Sequence, residues 1–369
     1  MDMRFADKTP LMCQFSIGHM LRQLKVSPSG FWFDQKIYTD GLLQLRDLYD
    51  FDGILISLHG HSLSWRKDVN QITTTPKGEI IEWLNGDKTI CPENELPYYQ
   101  YKNTIARANL NSFSENLLPA VLDYIPVSNN LRFNICENNK FGALDTIIEQ
   151  SGKVHSIHGE ITSPFDYFLD FAGYQDALLG LLLYPEVCKI ILSHFTDKVK
   201  ELALEMCSTG IDAIKISSPF AGSGFISSEA YSEFVLPYEK AIATAIRNKG
   251  VHVYTHTCGS INDRLELMFE AGISGIECLD PAPLGNVDLA DALERIGRRG
   301  FIKGNLDSVN LLLAGTAESI EKEVNAILES TSTWPGFILS TACSIAPEVK
   351  KENIKILRSI IDKRGTRIL

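Results

Sequence analysis

The 369-residue sequence predicts an α/β fold, a (β/α)8 barrel of the TIM type, and three observations support it. Short apolar, β-branched runs recur along the chain, amphipathic helical patterns separate the later runs, and the runs number eight. Strands that alternate with helices form parallel sheets. Eight such units close into a barrel whose site lies at the C-terminal strand ends. The predicted strands are residues 11–15, 53–58, 154–161, 213–217, 251–256, 275–279, 301–303 and 336–340.

Helical periodicity predicts helices over residues 181–208, 228–248, 261–271, 288–296 and 318–330. An open, doubly wound sheet is the alternative arrangement of such elements. It is disfavoured because no Gly-rich phosphate loop follows the first predicted strand.

One stretch breaks the alternation of strands and helices, from about residue 61 to residue 149. Residues 71–97 within it read as a β-hairpin or meander, with turn signals at Pro76-Lys77-Gly78 and Asn85-Gly86-Asp87. We therefore predict a single barrel over residues 1–369. The insertion forms a cap between its second and third strands.

The composition excludes several classes of partner. Lys and Arg number 35 against 46 Asp and Glu, which gives a net charge of −11 and no basic surplus to neutralise nucleic acid or an anionic membrane. The longest apolar run, residues 177–184, is far shorter than the roughly 20 residues that span a bilayer. The first residues carry no export signal, so we expect a cytoplasmic protein whose eight cysteines are free thiols.

The most informative segment is Val251-His252-Val253-Tyr254-Thr255-His256-Thr257-Cys258-Gly259. Side chains alternate faces along a strand, so His256 and Cys258 point the same way, into the mouth of a barrel. Cys343 ends the last predicted strand at the same level. One His with two Cys is typical of a catalytic zinc site with an open position. The separation of 85 positions between Cys258 and Cys343 excludes a zinc finger.

Further polar residues end neighbouring strands. Glu277, Asp280 and Glu160 are candidates for a fourth ligand, or for an acceptor that orients His256. His59 and His61 follow the second strand and are candidates for substrate contact or proton transfer. Tyr254 shares the face of His256, deeper in the barrel, and is a further substrate or catalytic candidate. For the carboxylates a capping or salt-bridging role remains open.

Several segments together resemble the uroporphyrinogen decarboxylase superfamily, and within it the zinc-dependent, corrinoid-linked methyltransferases. The resemblance covers roughly residues 153–360 and implies a (β/α)8 barrel. It makes Ser217, Ser218 and Asn305 further substrate or catalytic candidates. The segments are Ser217-Ser218-Pro219, Phe234-Val235-Leu236-Pro237-Tyr238, His256-Thr257-Cys258-Gly259, Gly304-Asn305-Leu306-Asp307, and Ile338-Leu339-Ser340-Thr341-Ala342-Cys343 with Pro347 and Glu352-Asn353-Ile354.

The superfamily contains two chemistries, and the sequence departs from the decarboxylases. Those enzymes hold substrate carboxylates with arginines near the first strand, whereas here no arginine follows that strand before Arg22. An aspartate after the second strand and a His near the chain end are replaced by His59, His61 and Cys343. A porphyrinogen would also want a basic pocket, which an acidic chain does not favour.

The methyltransferase branch makes His256, Cys258 and Cys343 the zinc ligands. It implies transfer of a methyl group between a small methylated substrate, or a thiol acceptor, and the cobalt of a corrinoid. No Asp-x-His-x-x-Gly motif is present, so cobalamin is expected on a separate partner protein. A metal-free decarboxylase and a non-catalytic barrel that binds a ligand or a corrinoid protein remain alternatives. A homodimer is a candidate assembly.

Overall fold

The computed structural model describes residues 1–103, 107–127 and 132–365. Its strands are β1 (Gly53–Ser57), β2 (Val69–Thr75), β3 (Gly78–Trp83), β4 (Lys88–Pro92), β5 (Tyr98–Gln100), β6 (Tyr124–Pro126), β7 (Arg132–Asn134), β8 (Ser156–Thr162), β9 (Ala213–Ser217), β10 (His252–Thr257), β11 (Gly275–Cys278), β12 (Phe301–Leu306) and β13 (Phe337–Thr341).

The α-helices begin with three that precede or flank β1, and the later ones follow the barrel strands. They are α1 (Ile17–Leu24), α2 (Pro28–Phe33), α3 (Gln35–Tyr49), α4 (Gly142–Ser151), α5 (Pro164–Ala172), α6 (Tyr174–Leu183), α7 (Pro185–Cys207), α8 (Ser228–Phe234), α9 (Leu236–Arg247), α10 (Leu265–Glu270), α11 (Leu289–Ile296), α12 (Ala317–Ser330) and α13 (Lys351–Arg364). None of these described helices is both long and apolar enough to cross a membrane.

A curled parallel sheet of seven strands runs in the order β1-β8-β9-β10-β11-β12-β13. These strands match seven of the eight predicted from the sequence, which confirms the α/β barrel. The predicted first strand, residues 11–15, is irregular. It contacts β13 through the parallel bridge of Leu11 with Leu339 and exchanges hydrogen bonds with Asp52 just before β1. This segment therefore stands at the eighth strand position, between the two ends of the sheet.

Two predicted helices are each divided in the structure. The predicted helix over residues 181–208 breaks where Pro185 begins α7, and the one over 228–248 breaks at Val235, before Leu236 and Pro237 begin α9. Proline has no backbone N–H to donate and crowds the preceding turn, so it is tolerated only in the first turn of a helix. Pro185 and Pro237 each occupy that position.

The insertion after β1 contains the predicted meander as an antiparallel sheet in the order β2-β3-β4-β5. Gly78 and Gly86 hold its turns with φ of 132° and 88°, a backbone conformation that glycine adopts without a steric penalty. A second small sheet pairs β6 with β7. Residues 104–106 and 128–131 of the predicted cap lie outside the described residues.

Charged side chains lie inside the barrel beside the apolar ones. Lys215 of β9 and Lys303 of β12 are fully buried, and Glu277 of β11 is 1% exposed. A buried charge is tolerated when it is paired and hydrogen-bonded, so these side chains have to compensate one another. Glu277 pairs with both lysines directly beneath the barrel mouth.

Candidate metal centre at the barrel mouth

His256 and Cys258 project from the end of β10 on the same side, as strand alternation predicts. His256 is 4% exposed, and its Nε2 lies 3.2 Å from the Cys258 Sγ. Gly259 follows at a φ of 75°, which lets the chain turn away immediately after the cysteine. The two donor atoms therefore face one point at the C-terminal end of the barrel.

Cys343 reaches the same point from the segment after β13. Its Sγ lies 3.8 Å from the Cys258 Sγ, although β11 and β12 separate the two strands in the sheet. Two thiolates on one tetrahedral zinc, with Zn–S bonds of about 2.3 Å, lie about 3.8 Å apart. The spacing of the two sulfurs thus fits a zinc ion, and the His256 nitrogen lies beside the first of them. All eight cysteines are free thiols, as predicted.

Cys278 is a fourth donor that the sequence analysis missed. A ring nitrogen of His256 and the sulfurs of Cys258 and Cys278 lie within 4.8 Å of one another. Strict alternation along β11 would turn Cys278 away from Glu277 and out of the barrel. Its φ of 91° breaks that alternation. Nothing in the sequence Ile276-Glu277-Cys278-Leu279 indicates a positive φ. The only sequence signal for Cys278 as a donor was its position next to Glu277, which was predicted as an acceptor for His256.

Glu277 hydrogen-bonds the ring nitrogen of His256 that faces away from Cys258. Its Oε2 lies 2.9 Å from His256 Nδ1, so a proton on Nδ1 leaves the Nε2 lone pair facing the sulfurs. This is the orienting role predicted as one of two alternatives for Glu277. Burial alone would raise the pKa of Glu277, but Lys303 and then Lys215 bring it well below its ordinary value. Glu277 is therefore a carboxylate.

Burial and the neighbouring side chains have opposite effects on the pKa of His256. Burial disfavours its charged form, but the electrostatic effect of Cys258, followed by hydrogen bonds to Cys258, Cys343 and Glu277, raises the pKa of His256 well above its ordinary value. Hydrogen bonds from Cys258 and Cys278 lower the pKa of Cys343 well below that of a free thiol. The cluster thus favours a thiolate, the form of cysteine that binds metal.

The other two predicted carboxylates take supporting positions. Glu160 of β8 accepts a hydrogen bond from Ser57 and pairs with Lys215 at 2.9 Å. Asp280 accepts the Gly259 N–H at 2.7 Å and the Cys278 thiol at 3.1 Å. Glu160 therefore belongs to the buried charge network, and Asp280 holds the loop that follows Cys258.

A cavity of about 410 Å³ opens beside this cluster, with His256, Cys258 and Cys343 in its wall. Apolar side chains from the insertion, including Ile125 and Phe133, line it from the side of the cap. Among the described lining residues the only arginine is Arg46, whose guanidinium already pairs with Asp47 and Asp50. The acidic side chains in the wall are Glu95, Glu160 and Asp166.

The structure brings some of the remaining candidates to this cavity and not others. Ser217 lines it, whereas Ser218 is completely buried next to it. Tyr254 lies deeper in the barrel, as predicted, where its hydroxyl meets His158 Nδ1 at 2.9 Å. Asn305 is 6% exposed and donates to the Leu279 carbonyl at 3.2 Å, so it braces the turn after Cys278.

His59 and His61 lie beneath the cap rather than at the metal cluster. Neither is among the described residues that line the cavity beside the cluster. His59 stacks on Tyr38 at 4.6 Å between ring centroids, and His61 packs against Phe33 at 4.5 Å. His61 lines a separate cavity of about 540 Å³ whose wall is largely aromatic, including Trp65 and Trp83. Both therefore lie away from the metal cluster, and their roles in substrate contact or proton transfer stay predictions.

The barrel fold agrees with what the comparisons with known proteins show. Residues 139–364, more than half of the chain, match the family described as uroporphyrinogen decarboxylase (URO-D). The chain belongs to that family, as the sequence analysis predicted.

The relatives carry both chemistries of the family. The methylcobamide:CoM methyltransferase MtbA of Methanosarcina acetivorans is 29% identical over 214 residues, which cover 58% of this chain and 60% of that protein. The uroporphyrinogen decarboxylase of Chlorobium phaeobacteroides is 28% identical over 215 residues, or 55% of this chain and 57% of that one. The matched region thus spans about three fifths of the length of these curated relatives.

A solved structure shares the fold over nearly the whole chain. It is a methyltransferase from Methanosarcina mazei, with a TM-score of 0.73, 19% identity, and coverage of 97% of this chain and 95% of that one. At that identity the likeness shows the fold alone.

Proposed function

We propose that the protein is a zinc-dependent methyltransferase, which moves a methyl group between a small substrate and the cobalt of a corrinoid carried by a separate protein. The substrate is a thiol acceptor or a small methylated compound. The observation that carries the proposal is the 3.8 Å approach of Cys258 and Cys343, with His256 Nε2 beside them, in the wall of the cavity.

The relatives support methyl transfer with a thiol on one side. Besides the MtbA match, a methylated-thiol–coenzyme M methyltransferase of Methanosarcina mazei is 26% identical over 215 residues. Both names describe transfer to coenzyme M, which is a small thiol. When bound, zinc would hold such a thiol as the thiolate, or stabilise charge on the atom that loses a methyl group.

The residues of this chain supply binding and orientation. His256, Cys258 and Cys343 would hold the metal, and Glu277 keeps the His256 ring turned toward it. Lys303 and Lys215 keep Glu277 ionised. The apolar cap side chains over the cavity exclude water from the reacting groups, which strengthens electrostatic interactions there.

The charges around the cavity disfavour the decarboxylase alternative. A porphyrinogen with several carboxylates needs basic side chains that are free to pair with it. The described wall contains one arginine, Arg46, already paired with two aspartates, against three carboxylic acids. A small neutral or thiol substrate fits this wall better.

Spectroscopy of the cobalt tests the proposal with the full-length chain, purified without chelator. One arm mixes it with methylcobalamin and coenzyme M, and the other mixes it with cobalt(I) cobalamin and a panel of methylated compounds. We expect one arm to change the cobalt spectrum at a rate set by the amount of protein. Cys258→Ser should lower that rate more than about 100-fold, beyond the cost of losing a group that merely supports a ligand.

Cys207→Ser is the matched control, because Cys207 is a half-buried thiol at the end of α7, remote from the cluster. It should keep the rate within about twofold. No spectral change in either arm would favour the non-catalytic barrel. Turnover of uroporphyrinogen that chelators leave unchanged would establish the decarboxylase instead.

A further inference from the structure

A second cavity lies between α2 and the antiparallel sheet of the cap. This cap cavity has a volume of about 540 Å³, and none of its described lining residues also lines the cavity beside the metal cluster. Seven Trp, Phe and Tyr side chains line it, among them Trp32, Trp65 and Trp83. Such side chains bury a large apolar area against a ligand, and they are typical of small-molecule sites.

The rings around the cap cavity hold one another in place. The ring centroid of Phe33 lies 5.0 Å from that of Trp65, which it stacks on, and 5.3 Å from that of Trp83, which it meets edge to face. The indole Nε1 of Trp83 donates to the Thr89 hydroxyl at 2.9 Å. Because the walls are packed in this way, a ligand would enter a cavity that is already formed, at a small cost in side-chain ordering.

One buried polar group in this wall has no partner. His61 is 3% exposed, and its Nε2 forms no hydrogen bond with any described residue. By contrast, the hydroxyl of Tyr99 in the same wall donates to Asp87 at 2.8 Å. Buried polar atoms are almost always hydrogen-bonded, so the exception at His61 calls for a partner. A ligand with one hydrogen-bonding group would supply it.

The charges around the cap cavity favour a neutral ligand. Asp68 is the only charged residue among the described lining residues, and it is exposed at the rim. It would repel an anion, for which the described wall offers no cation. A cationic ligand would have to compete with Arg66, whose guanidinium carbon already lies 4.5 Å from the centroid of the Trp65 ring. Burial keeps the pKa of His61 well below its ordinary value, so its ring is neutral too.

We propose that the cap cavity binds a small neutral aromatic compound that carries one O–H or N–H group. Its ring would pack against Trp83 and the neighbouring aromatic side chains, and its polar group would hydrogen-bond His61 Nε2. A hydroxyl group both donates and accepts, so a phenol can make this bond with either tautomer of the neutral imidazole. The compound would not contact His256, Cys258 or Cys343, so this is a binding site separate from the metal centre.

Titration calorimetry of the full-length chain tests the proposal with phenol as the probe. Toluene keeps the aromatic ring without the hydroxyl, cyclohexanol keeps the hydroxyl without the aromatic ring, and benzoate adds a negative charge. We expect phenol to bind one per chain and each of the other three to bind about 5-fold more weakly, or weaker still. Three of the four tryptophans line the cap cavity, so phenol should also change the tryptophan emission with the same midpoint.

His61→Phe keeps an aromatic ring but removes the unpartnered nitrogen. It should weaken phenol binding about 5- to 10-fold and leave toluene binding within about twofold. Ser217→Ala is the control, because Ser217 lines the cavity beside the metal cluster. It should change neither affinity by more than about twofold.

The phenol and toluene affinities of the wild-type chain decide the matter even if His61→Phe fails to fold. Wild-type protein that shows no saturable binding of phenol, or that binds toluene as tightly as phenol, would overturn the proposal. So would folded His61→Phe with wild-type affinity for phenol, or loss of phenol binding in Ser217→Ala, which would place the compound in the other cavity. None of these measurements needs zinc or a corrinoid, so their outcome is independent of the proposed methyl transfer.

Discussion

Two pairs of residues with the same spacing end two strands of this barrel, and their surroundings give them opposite properties. His256 and Cys258 follow β10, and His59 and His61 follow β1. Buried charges surround the first pair, whereas aromatic rings surround the second. The pKa of His256 is raised, mainly by Cys258 against the effect of burial. Burial lowers the pKa of His59 to about 4 and that of His61 well below its ordinary value.

Residue spacing alone therefore does not make a metal site. Around His256, Glu277 orients the ring and Lys215 and Lys303 balance the carboxylate. Around His61, the Nε2 atom is buried without a hydrogen-bond partner. A metal ligand needs a partner on its second nitrogen and a second donor facing the first. Only the β10 pair has both among the described residues.

The largest expected effect is the loss of metal on removing a cysteine ligand. Cys343→Ser should lower zinc affinity by more than about 100-fold, because it removes a donor outright rather than a supporting group. Competition with a chromophoric chelator measures the affinity. His61→Phe, at the corresponding position of the other pair, should keep it within about twofold. An equal loss of zinc affinity in both variants would show that the two regions do not differ in metal binding.

Removing the carboxylate behind His256 should have the next largest effect. Glu277→Gln keeps the shape but not the charge, so we expect zinc affinity to fall about 10- to 100-fold. It also leaves Lys303 and Lys215 without their shared partner, at a cost of about 3–5 kcal/mol in the free energy of unfolding. Chelator competition and urea unfolding of the metal-free chain measure the two effects.

Glu266→Gln is the control for that variant. Glu266 on α10 pairs with Arg295 at 2.7 Å near the surface, so its loss should cost less than about 1 kcal/mol and leave metal binding intact. If Glu277→Gln behaved like Glu266→Gln, the buried charges beneath the site would have no role in holding the metal.

The smallest effect concerns stability against pH in the aromatic region. The pKa of His59 is lowered to about 4, so His59 is neutral in the folded chain while the unfolded chain gains a proton below about pH 6.5. The contribution of neutral His59 to the free energy of unfolding is present above pH 6.5 and is lost as pH falls toward 4. That loss is on the order of 3 kcal/mol. His59→Phe keeps a ring against Tyr38, so the free energy of unfolding should depend less on pH in this range.

Urea unfolding of the metal-free chain at pH 7 and at pH 4.5 checks the prediction. The drop in the free energy of unfolding should be smaller for His59→Phe than for the wild type. An unchanged drop would mean that His59 already carries its proton in the folded chain. The contrast with His256 would then be lost.

Strand periodicity was sufficient to predict most of the barrel and three members of the cluster. Alternation placed His256 and Cys258 on one face, and the end of an apolar strand placed Cys343 at their level. These are local properties of parallel strands, whose C-terminal ends meet at one edge. The seven regular strands were predicted for the same reason, and only residues 11–15 form a less regular strand than expected.

Cys278 was missed because its position depends on a positive φ, which its neighbours in sequence do not indicate. The two lysines could have been found. Lys215 stands in the apolar run Ala213-Ile214-Lys215-Ile216-Ser217, where an inward cation requires a buried carboxylate. The positions of His59 and His61 could not be read from the strand end, because packing against the cap determines them.

Metal analysis of the full-length protein, purified without chelator, tests whether the cluster binds zinc. We expect one zinc per chain, retained through gel filtration and lost in both Cys258→Ser and Cys343→Ser, while Cys207→Ser keeps it. A folded wild-type chain with no bound zinc, or zinc that remains when Cys258 and Cys343 are both replaced, would contradict it.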